Sequence, residues 1–533
     1  MVNRSGTGAS ARAIWFIFLF FLIFYLFTAR GRITVIDGWT RYQVTAIIVE
    51  LGTVRLPEYL HLGITGPEPD TLYSYYSLGQ SLAGLPLYVV GSTLASVWAE
   101  ADPQIITQLS YSFVNSLMAA GLCAIFFAFC LHLGYSRRTA LWLTLGLGLG
   151  TIIWQHSKDS FEHPQEAFLG LGGVLFAYRG MKERRYLWLL FSGGLLGAAV
   201  LTRDTAIFFF APTLAYVVVR AGRDVMLGGT IPAERLGAFL KRAGASVGVC
   251  IVGAIPFLLT VGWYNMVRSG SPLKAGHAAF GHFTTSISFV PRGLVGLLFS
   301  PGRGLFEYEP FLLLLLIFPA SILLFWRRAR GLSVLFVTIM LCYLLFYAHF
   351  RNWADGLAWG PRYILPIIPL AIFPLGEIAE GGLLTRRGSR SICTAKKSII
   401  YVLVGMSLLI QLSSILVDHQ TWFREVAIRN RLGEHIEVNS NFQHSALVRQ
   451  WHSLGRVFAG EDPVGAKGIT FEDPTQEFSR GIDLWWADWP GRDAETFRIS
   501  AAALLAILAI VFALLITTWR EPASQLLDEN DQG

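Results

Sequence analysis

Charged side chains are scarce in this chain. Asp, Glu, Lys and Arg make up 15% of its 533 residues, where a soluble domain carries about a quarter. That scarcity excludes an ordinary soluble globule and a charge-rich disordered chain. Cysteine is scarce as well. Of the five, Cys123, Cys130, Cys250 and Cys342 lie within apolar runs and Cys393 in a basic loop, so no disulfide framework is expected. Internal repeats and low-complexity tracts are absent from the sequence. What fills the chain instead is apolar: hydrophobic residues reach 53%, in continuous runs near the ~20 residues a spanning helix needs. Continuous runs, rather than alternating ones, disfavour a β-barrel. The expected fold class is all-α, a polytopic membrane protein of about 12 transmembrane helices.

Hydropathy predicts spans at 13–29, 107–134, 140–155, 164–180, 186–202, 204–220, 246–266, 308–326, 333–349, 361–379, 399–417 and 499–518. The first follows Arg4 and Arg12 as a signal peptide would. Thr-Ala-Arg-Gly-Arg at 28–32 offers no small-x-small cleavage site, so it reads as a retained helix. The stretch 78–98 is long enough to cross, but crossing would move every later basic loop to the outside, against the positive-inside tendency. Its Gly, Ser and Pro content also suits an interfacial or re-entrant helix better.

With 78–98 in the interface, the basic clusters Arg137-Arg138, Lys182 to Arg185, Arg327 to Arg330 and Arg386 to Lys397 share the cytoplasmic side with both termini. The net charge of +7 is then cytoplasmic anchoring, and no nucleic-acid partner is expected. The expected division is a transmembrane module 1–417 with long outer loops 30–106 and 267–307, an extracytoplasmic segment or small domain 418–498, and a last helix with cytoplasmic tail, 499–533. The plasma (inner) membrane of a prokaryote is the expected location.

The polar residues gather in the predicted outer loops. Asp37 lies just past the first span, where a carboxylate could act as general base toward a hydroxyl or simply cap a short helix. Lys158, Asp159, Glu162 and His163 fall within six residues between two spans. They could bind sugar hydroxyls, phosphate or a divalent cation, or form an ordinary solvated turn; Pro164 weakens the metal spacing. Arg203 sits in a tight turn between apolar helices, a costly place unless paired or engaged with ligand. Arg303 lies between glycines in Ser-Pro-Gly-Arg-Gly-Leu-Phe, which lets a guanidinium and backbone amides approach an anion. The densest loop carries Arg351, Trp353, Asp355, Trp359 and Arg362. Indole faces stack on sugars and guanidiniums hold phosphate, although an aromatic belt with snorkelling arginines uses the same residues.

Taken in order, these segments resemble the GT-C glycosyltransferases, in particular the protein O-mannosyltransferase and aminoarabinose transferase group, family thirty-nine. The pieces are Asp37, the stretch Tyr73-Ser-Tyr-Tyr-Ser-Leu-Gly-Gln through Tyr88, Gly150-Thr-Ile-Ile-Trp with Glu162-His163-Pro164, Leu298 through Phe306, and Trp353 through Pro366. Weaker likeness continues at Asn441-Phe-Gln-His and Asp483-Leu-Trp-Trp. The resemblance implies a polyprenyl-phosphate-linked sugar donor, a glycan, lipid or protein acceptor, and a single inverting displacement with Asp37 as base. Arg203, Arg303, Arg351 and Arg362 would hold the donor phosphate. Tyr73, Lys158, Asp159, Glu162, His163, Trp353, Asp355 and Trp359 would contact substrate. Two positions depart from the family: Gly38 stands where relatives often carry a second acid, and Tyr75 where many carry Lys. A transporter or lipid flippase, and an outer-face oligosaccharide ligase or polymerase, are the competing readings. The first tends to bring midplane charges and paired repeats, neither of which the sequence has.

Overall fold

The computed structural model describes residues 4–57, 63–68, 70–98, 102–226, 233–274, 276, 285–351, 353–354, 358–380, 390–431, 437–461, 481–487 and 494–519. Helix α1 (Arg4–Phe27) leads to α2 (Ile36–Leu51) and a small antiparallel sheet. Its strands are β1 (Arg55–Leu56), β2 (Ile64–Thr65) and β3 (Leu72–Tyr73), with β3 in the middle. There follow α3 (Gly79–Val97), α4 (Pro103–Ser112), α5 (Val114–His132), α6 (Arg137–Gly150), α7 (Ile152–His156), α8 (His163–Glu183), α9 (Tyr186–Thr202), α10 (Ile207–Met226) and α11 (Ala233–Ser269). The rest runs α12 (Val290–Phe299), α13 (Leu305–Tyr308), α14 (Leu314–Ile317), α15 (Ala320–Arg328), α16 (Arg330–Ala348), α17 (Ile368–Ile372), α18 (Gly376–Glu380), α19 (Arg390–Leu416), α20 (Gln420–Arg431), α21 (Ala446–Phe458) and α22 (Ala494–Trp519).

Every predicted span is helical, several with breaks. Among the described residues seven helices are long and apolar enough to cross a membrane, or eight if Pro310–Ile317 and Ala320–Arg328, bent by 83°, form one span. The chain is an all-α integral membrane protein. Several of the expected spans fall outside that set for local reasons. The spans expected at 140–155 and 186–202 give helices of only 14 and 17 residues, and Gln165, Glu166 and several glycines make α8 less apolar. The stretch 78–98 forms α3, with Pro86 inside it; it is not among the seven.

Without a hydrophobic drive between lipid-facing helices, close packing rests on small residues. Helices α9 and α11 show this. A Cβ on Gly193 would fall 1.7 Å from the Cys250 carbonyl oxygen, and one on Gly253 would fall 2.1 Å from that of Leu190. The backbones touch where any side chain would part them.

Helix α8 starts at His163 and ends beside the basic residues Lys182, Arg184 and Arg185, while α16 starts at Arg330 and ends beside Tyr347. A helix of about 20 residues is ~30 Å long. The charged loops and the basic clusters therefore sit at opposite ends of the same helices. Arg328, counted among those clusters, also pairs with Glu377 and with Glu380 at 3.6 Å.

A buried ionic network ties the segment after α19 to the start of the chain. Arg30 reaches Asp483 at 2.8 Å, Asp418 at 3.0 Å and Asp159 at 3.5 Å. Lys158 reaches Asp483 at 2.9 Å and donates to the carbonyls of Ile415 and Asp483 at 2.8 Å each. Arg32 adds a third cation 3.5 Å from Asp483, so three carboxylates face three cations. Trp485 closes the junction, its amide donating to the Ala29 carbonyl at 3.0 Å and its indole to the Leu26 carbonyl at 2.8 Å.

His419 lies inside this network, its Nδ1 accepting from the Gln155 amide at 2.8 Å. Burial drives its pKa down to about 4, against the pull of Asp159 and Asp418. A histidine in the unfolded chain titrates near ~6.5. The neutral ring therefore stabilises the fold fully above that value, and the contribution is lost as pH falls from about 6.5 toward 4. Thermal unfolding in detergent should show a loss on the order of 2 kcal/mol at this group by pH ~5. His419→Gln should flatten that part of the profile; an unchanged pH profile in the variant would refute the assignment.

Candidate active site

Asp37 occupies the first turn of α2, where the helix dipole favours a negative charge. It is not the cap: the residue before the helix is Val35, and no side chain caps it. Instead, the Tyr76 hydroxyl donates to Asp37 Oδ1 at 2.8 Å, and Arg362 Nη1 lies 3.6 Å from Oδ2. Burial, followed by the Asp37 charge, holds the Tyr76 phenol protonated well above its ordinary range. The Asp37 carboxylate keeps about a fifth of its side chain exposed. It is thus oriented and open, the state a general base needs.

One turn further along α2, Arg41 lies on the same face as Asp37. Its guanidinium is 4.2 Å from the centre of the Tyr76 ring and pairs with Glu162. Glu162 also pairs with Arg203, from the turn between α9 and α10. Burial would raise the Glu162 pKa, but Arg41 and Arg203 outweigh it and hold the carboxyl well below its usual range. Glu162 is a saturated structural anion; Asp37 is the open one. Arg203 further donates to the Tyr347 hydroxyl at 3.3 Å and approaches Glu166 at 3.9 Å. Glu166 in turn accepts from Tyr343 at 2.6 Å and from Thr205 at 2.9 Å.

An aromatic wall backs these charges. Tyr347 and Tyr363 stack with ring centres 4.6 Å apart, 3° from parallel. Arg362 lies 4.2 Å from the centre of the Phe161 ring and 5.2 Å from that of Tyr363. The loop 156–163 is buried, and four of its carbonyls are met from α5: Asn115 donates to those of His156, Asp159 and Phe161, and Ser116 to that of Ser157. A buried irregular loop needs such partners for its backbone.

The other sequence-derived candidates distribute as follows. His163 opens α8, fully buried, with its ring 6.1 Å from Tyr363. Lys158 and Asp159 turn away from Asp37 into the Arg30 network. Arg303 is buried with its guanidinium 4.5 Å from the Phe423 ring centre. Arg351 is exposed after α16. Trp353 packs on Gly296, where a Cβ would lie 2.3 Å from its indole. Trp359 is buried, donating to Gln411 at 3.1 Å with its ring 5.0 Å from Tyr308. Tyr73 lies on β3 and lines an apolar cavity of about 410 Å³ with Leu78, Leu82, Trp263 and Val267. Asp355 lies outside the described residues. Asp159 and Glu162 face different partners, and among the described residues no three His, Cys, Asp or Glu side chains are grouped to hold a metal.

Sequence reading missed Tyr76, Arg41 and Glu166. Arg41 had a usable signal in its i, i+4 spacing from Asp37, and Glu166 in being a charge inside a predicted span. Tyr76 lay within the quoted Tyr73-Ser-Tyr-Tyr-Ser stretch, but nothing there named its partner, which is set by the turn after β3.

The structure also accounts for one departure from the family pattern. A Cβ on Gly38 would lie 2.3 Å from Ser160 Cβ and 3.1 Å from the Ser160 carbonyl oxygen. The start of α2 rests directly on the charged loop, and a second acid has no room there.

Neither a protein family nor a curated protein matches this chain. Among solved structures it is similar to the oligosaccharyltransferase of Archaeoglobus fulgidus in its apo form, at 11% identity and a TM-score of 0.47, covering 80% of this chain and 58% of that one. It is also similar to ArnT from Cupriavidus metallidurans, in the apo state at 13% identity and a TM-score of 0.47, covering 96% of this chain and 76% of that one. ArnT bound to undecaprenyl phosphate gives 14% identity and a TM-score of 0.46. The chain thus spans little more than half the length of the oligosaccharyltransferase it matches. At TM-scores below one half the likeness assigns this chain no activity.

The two carboxylates should separate in their effect on stability. Glu162→Gln strands two buried guanidiniums and should cost about 3–5 kcal/mol. Asp37→Asn breaks one long, partly solvated pair and should cost under about 1 kcal/mol. Thermal midpoints of the purified variants check both, and equal losses would contradict the assignment of Glu162 as the structural anion.

Proposed function

We propose that this protein is a membrane glycosyltransferase of the GT-C type. It transfers a monosaccharide from a polyprenyl-phosphate donor to an acceptor hydroxyl on a lipid, glycan or protein, at the extracytoplasmic face of the membrane. The observation that carries the reading is the state of Asp37: an oriented, partly exposed carboxylate, hydrogen-bonded by Tyr76 and flanked by Arg362, next to a second acid that two arginines saturate. An enzyme of this kind needs a base for the acceptor proton and cations for the leaving phosphate.

In the proposed reaction Asp37 takes the proton from the acceptor hydroxyl as its oxygen attacks the anomeric carbon. The bond to the phosphate oxygen breaks on the opposite side, inverting the configuration. Arg362 lies 3.6 Å from the base, which supports a role for it toward the leaving group. It can take the phosphate charge by charge-assisted hydrogen bonds, and Arg203 and Arg41 add positive potential behind it. The aromatic faces of Phe161, Tyr347 and Tyr363 suit a sugar ring. Orientation follows from charge: the helices that carry the site end in basic clusters, which the positive-inside tendency assigns to the cytoplasm.

Transfer from a panel of polyprenyl-phosphate sugars, with purified protein in lipid nanodiscs, tests the reading. Asp37→Asn should lower kcat by about 100-fold or more while donor binding is kept. Arg362→Ala should weaken transfer by about 100-fold, with donor affinity falling as well. Normal turnover in the Asp37→Asn protein would remove the assigned base.

A further inference from the structure

Arg268 stands at the C-terminal end of α11, buried, and its guanidinium is directed at backbone rather than at acids. Nη1 donates to the carbonyl oxygens of Ser74 at 3.3 Å, Tyr75 at 3.0 Å and Tyr76 at 3.1 Å. Nε and Nη2 donate to Asn265 Oδ1 at 3.2 and 2.7 Å, one helical turn back. The Tyr264 ring lies 4.6 Å from the guanidinium carbon, and its hydroxyl donates to the Ser74 carbonyl at 3.4 Å. Three consecutive carbonyls converging on one cation is not an arrangement regular structure produces. It fixes the path of a turn that belongs to neither helix nor strand.

That turn delivers Tyr76. β3 ends at Tyr73 and α3 begins at Gly79. Between them the chain must set the Tyr76 ring against Arg41 and its hydroxyl against Asp37. Gly276 closes over the anchor: a Cβ there would lie 2.3 Å from Arg268 Nη1 and 2.4 Å from the Tyr75 carbonyl oxygen. Tyr75, where family members often carry Lys, thus contributes its carbonyl to the anchor.

We propose that Arg268 is a positioning residue for the base: by gathering the carbonyls of residues 74–76 it holds Tyr76 in register with Asp37. The proposal rests on the glycosyltransferase reading for its kinetic consequence, but not for its structural one. Side chains that orient a reacting group act through geometry, and displacements near 1 Å cost as much as about 100-fold in rate.

The test uses the full-length protein in nanodiscs. Arg268→Ala should lower kcat by about 10- to 100-fold with little change in donor KM. Tyr76→Phe should lower it too, and the double variant should fall no further than the worse single one, because the two act as one unit. Losses that multiply, or a normal kcat in Arg268→Ala, overturn the proposal. Hydrogen exchange gives a readout independent of transfer. The amides of 72–79 should exchange faster in Arg268→Ala, with 330–348 unchanged; unchanged exchange in 72–79 overturns the anchor. Wild-type protein that transfers no sugar from any donor refutes the glycosyltransferase reading while the exchange result still decides the anchor. Should Arg268→Ala not fold, Asn265→Ala retains the guanidinium and removes its intrahelical acceptor. It should show the same two changes in smaller degree, and showing neither overturns the proposal.

Discussion

A carboxylate taken out of water demands cations in return, and Glu162 draws them from two segments far apart in the chain. Arg41 comes from α2 and Arg203 from the turn joining α9 to α10. Neither arginine could remain buried alone, since an uncompensated charge costs several kcal/mol. The pairing therefore works as a clasp that fixes α2 against the helical bundle. Asp37 rides on the first turn of that helix, so the position of the candidate base follows from the position of a salt bridge in which it takes no part.

The loop 156–163 organises both sides of this arrangement. Lys158 and Asp159 face one way, into the network of Arg30, Asp418 and Asp483; Glu162 faces the other, into the site. One short buried loop thus links the fixing of the segment after α19 to the fixing of α2. Asn115 makes this tolerable by supplying donors to three of the loop carbonyls. The site inherits rigidity from polar networks on both flanks, the support a reacting group needs to stay in a productive geometry.

Hydropathy made the helical frame legible, because a lipid-facing helix leaves a long continuous apolar run. It does not show where a run is broken: 140–155 is interrupted where Thr151 caps α7. The residue set of the site was legible in composition but not in orientation. Within 158–163 the sequence has no period, so nothing told Lys158 and Asp159 apart from Glu162. Partnerships such as Arg30 with Asp483 span nearly the whole chain and leave no local trace. Arg362 beside Asp37 and Arg351 out in the open look alike in sequence; tertiary packing alone separates them.

The positions that depart from the family pattern bear most directly on mechanism. At Gly38 the contact with Ser160 leaves no space for a second acid, and at Tyr75 the backbone is engaged by Arg268. The two departures balance. On the proposed reading, a second carboxylate beside Asp37 would add negative charge where the donor phosphate arrives, and a lysine at Tyr75 would be one way to offset it. Lacking both, the site keeps one carboxylate in the open and sets Tyr76, a neutral donor, against it. Arg362, 3.6 Å from Asp37, thus faces one carboxylate at this end of α2 rather than two.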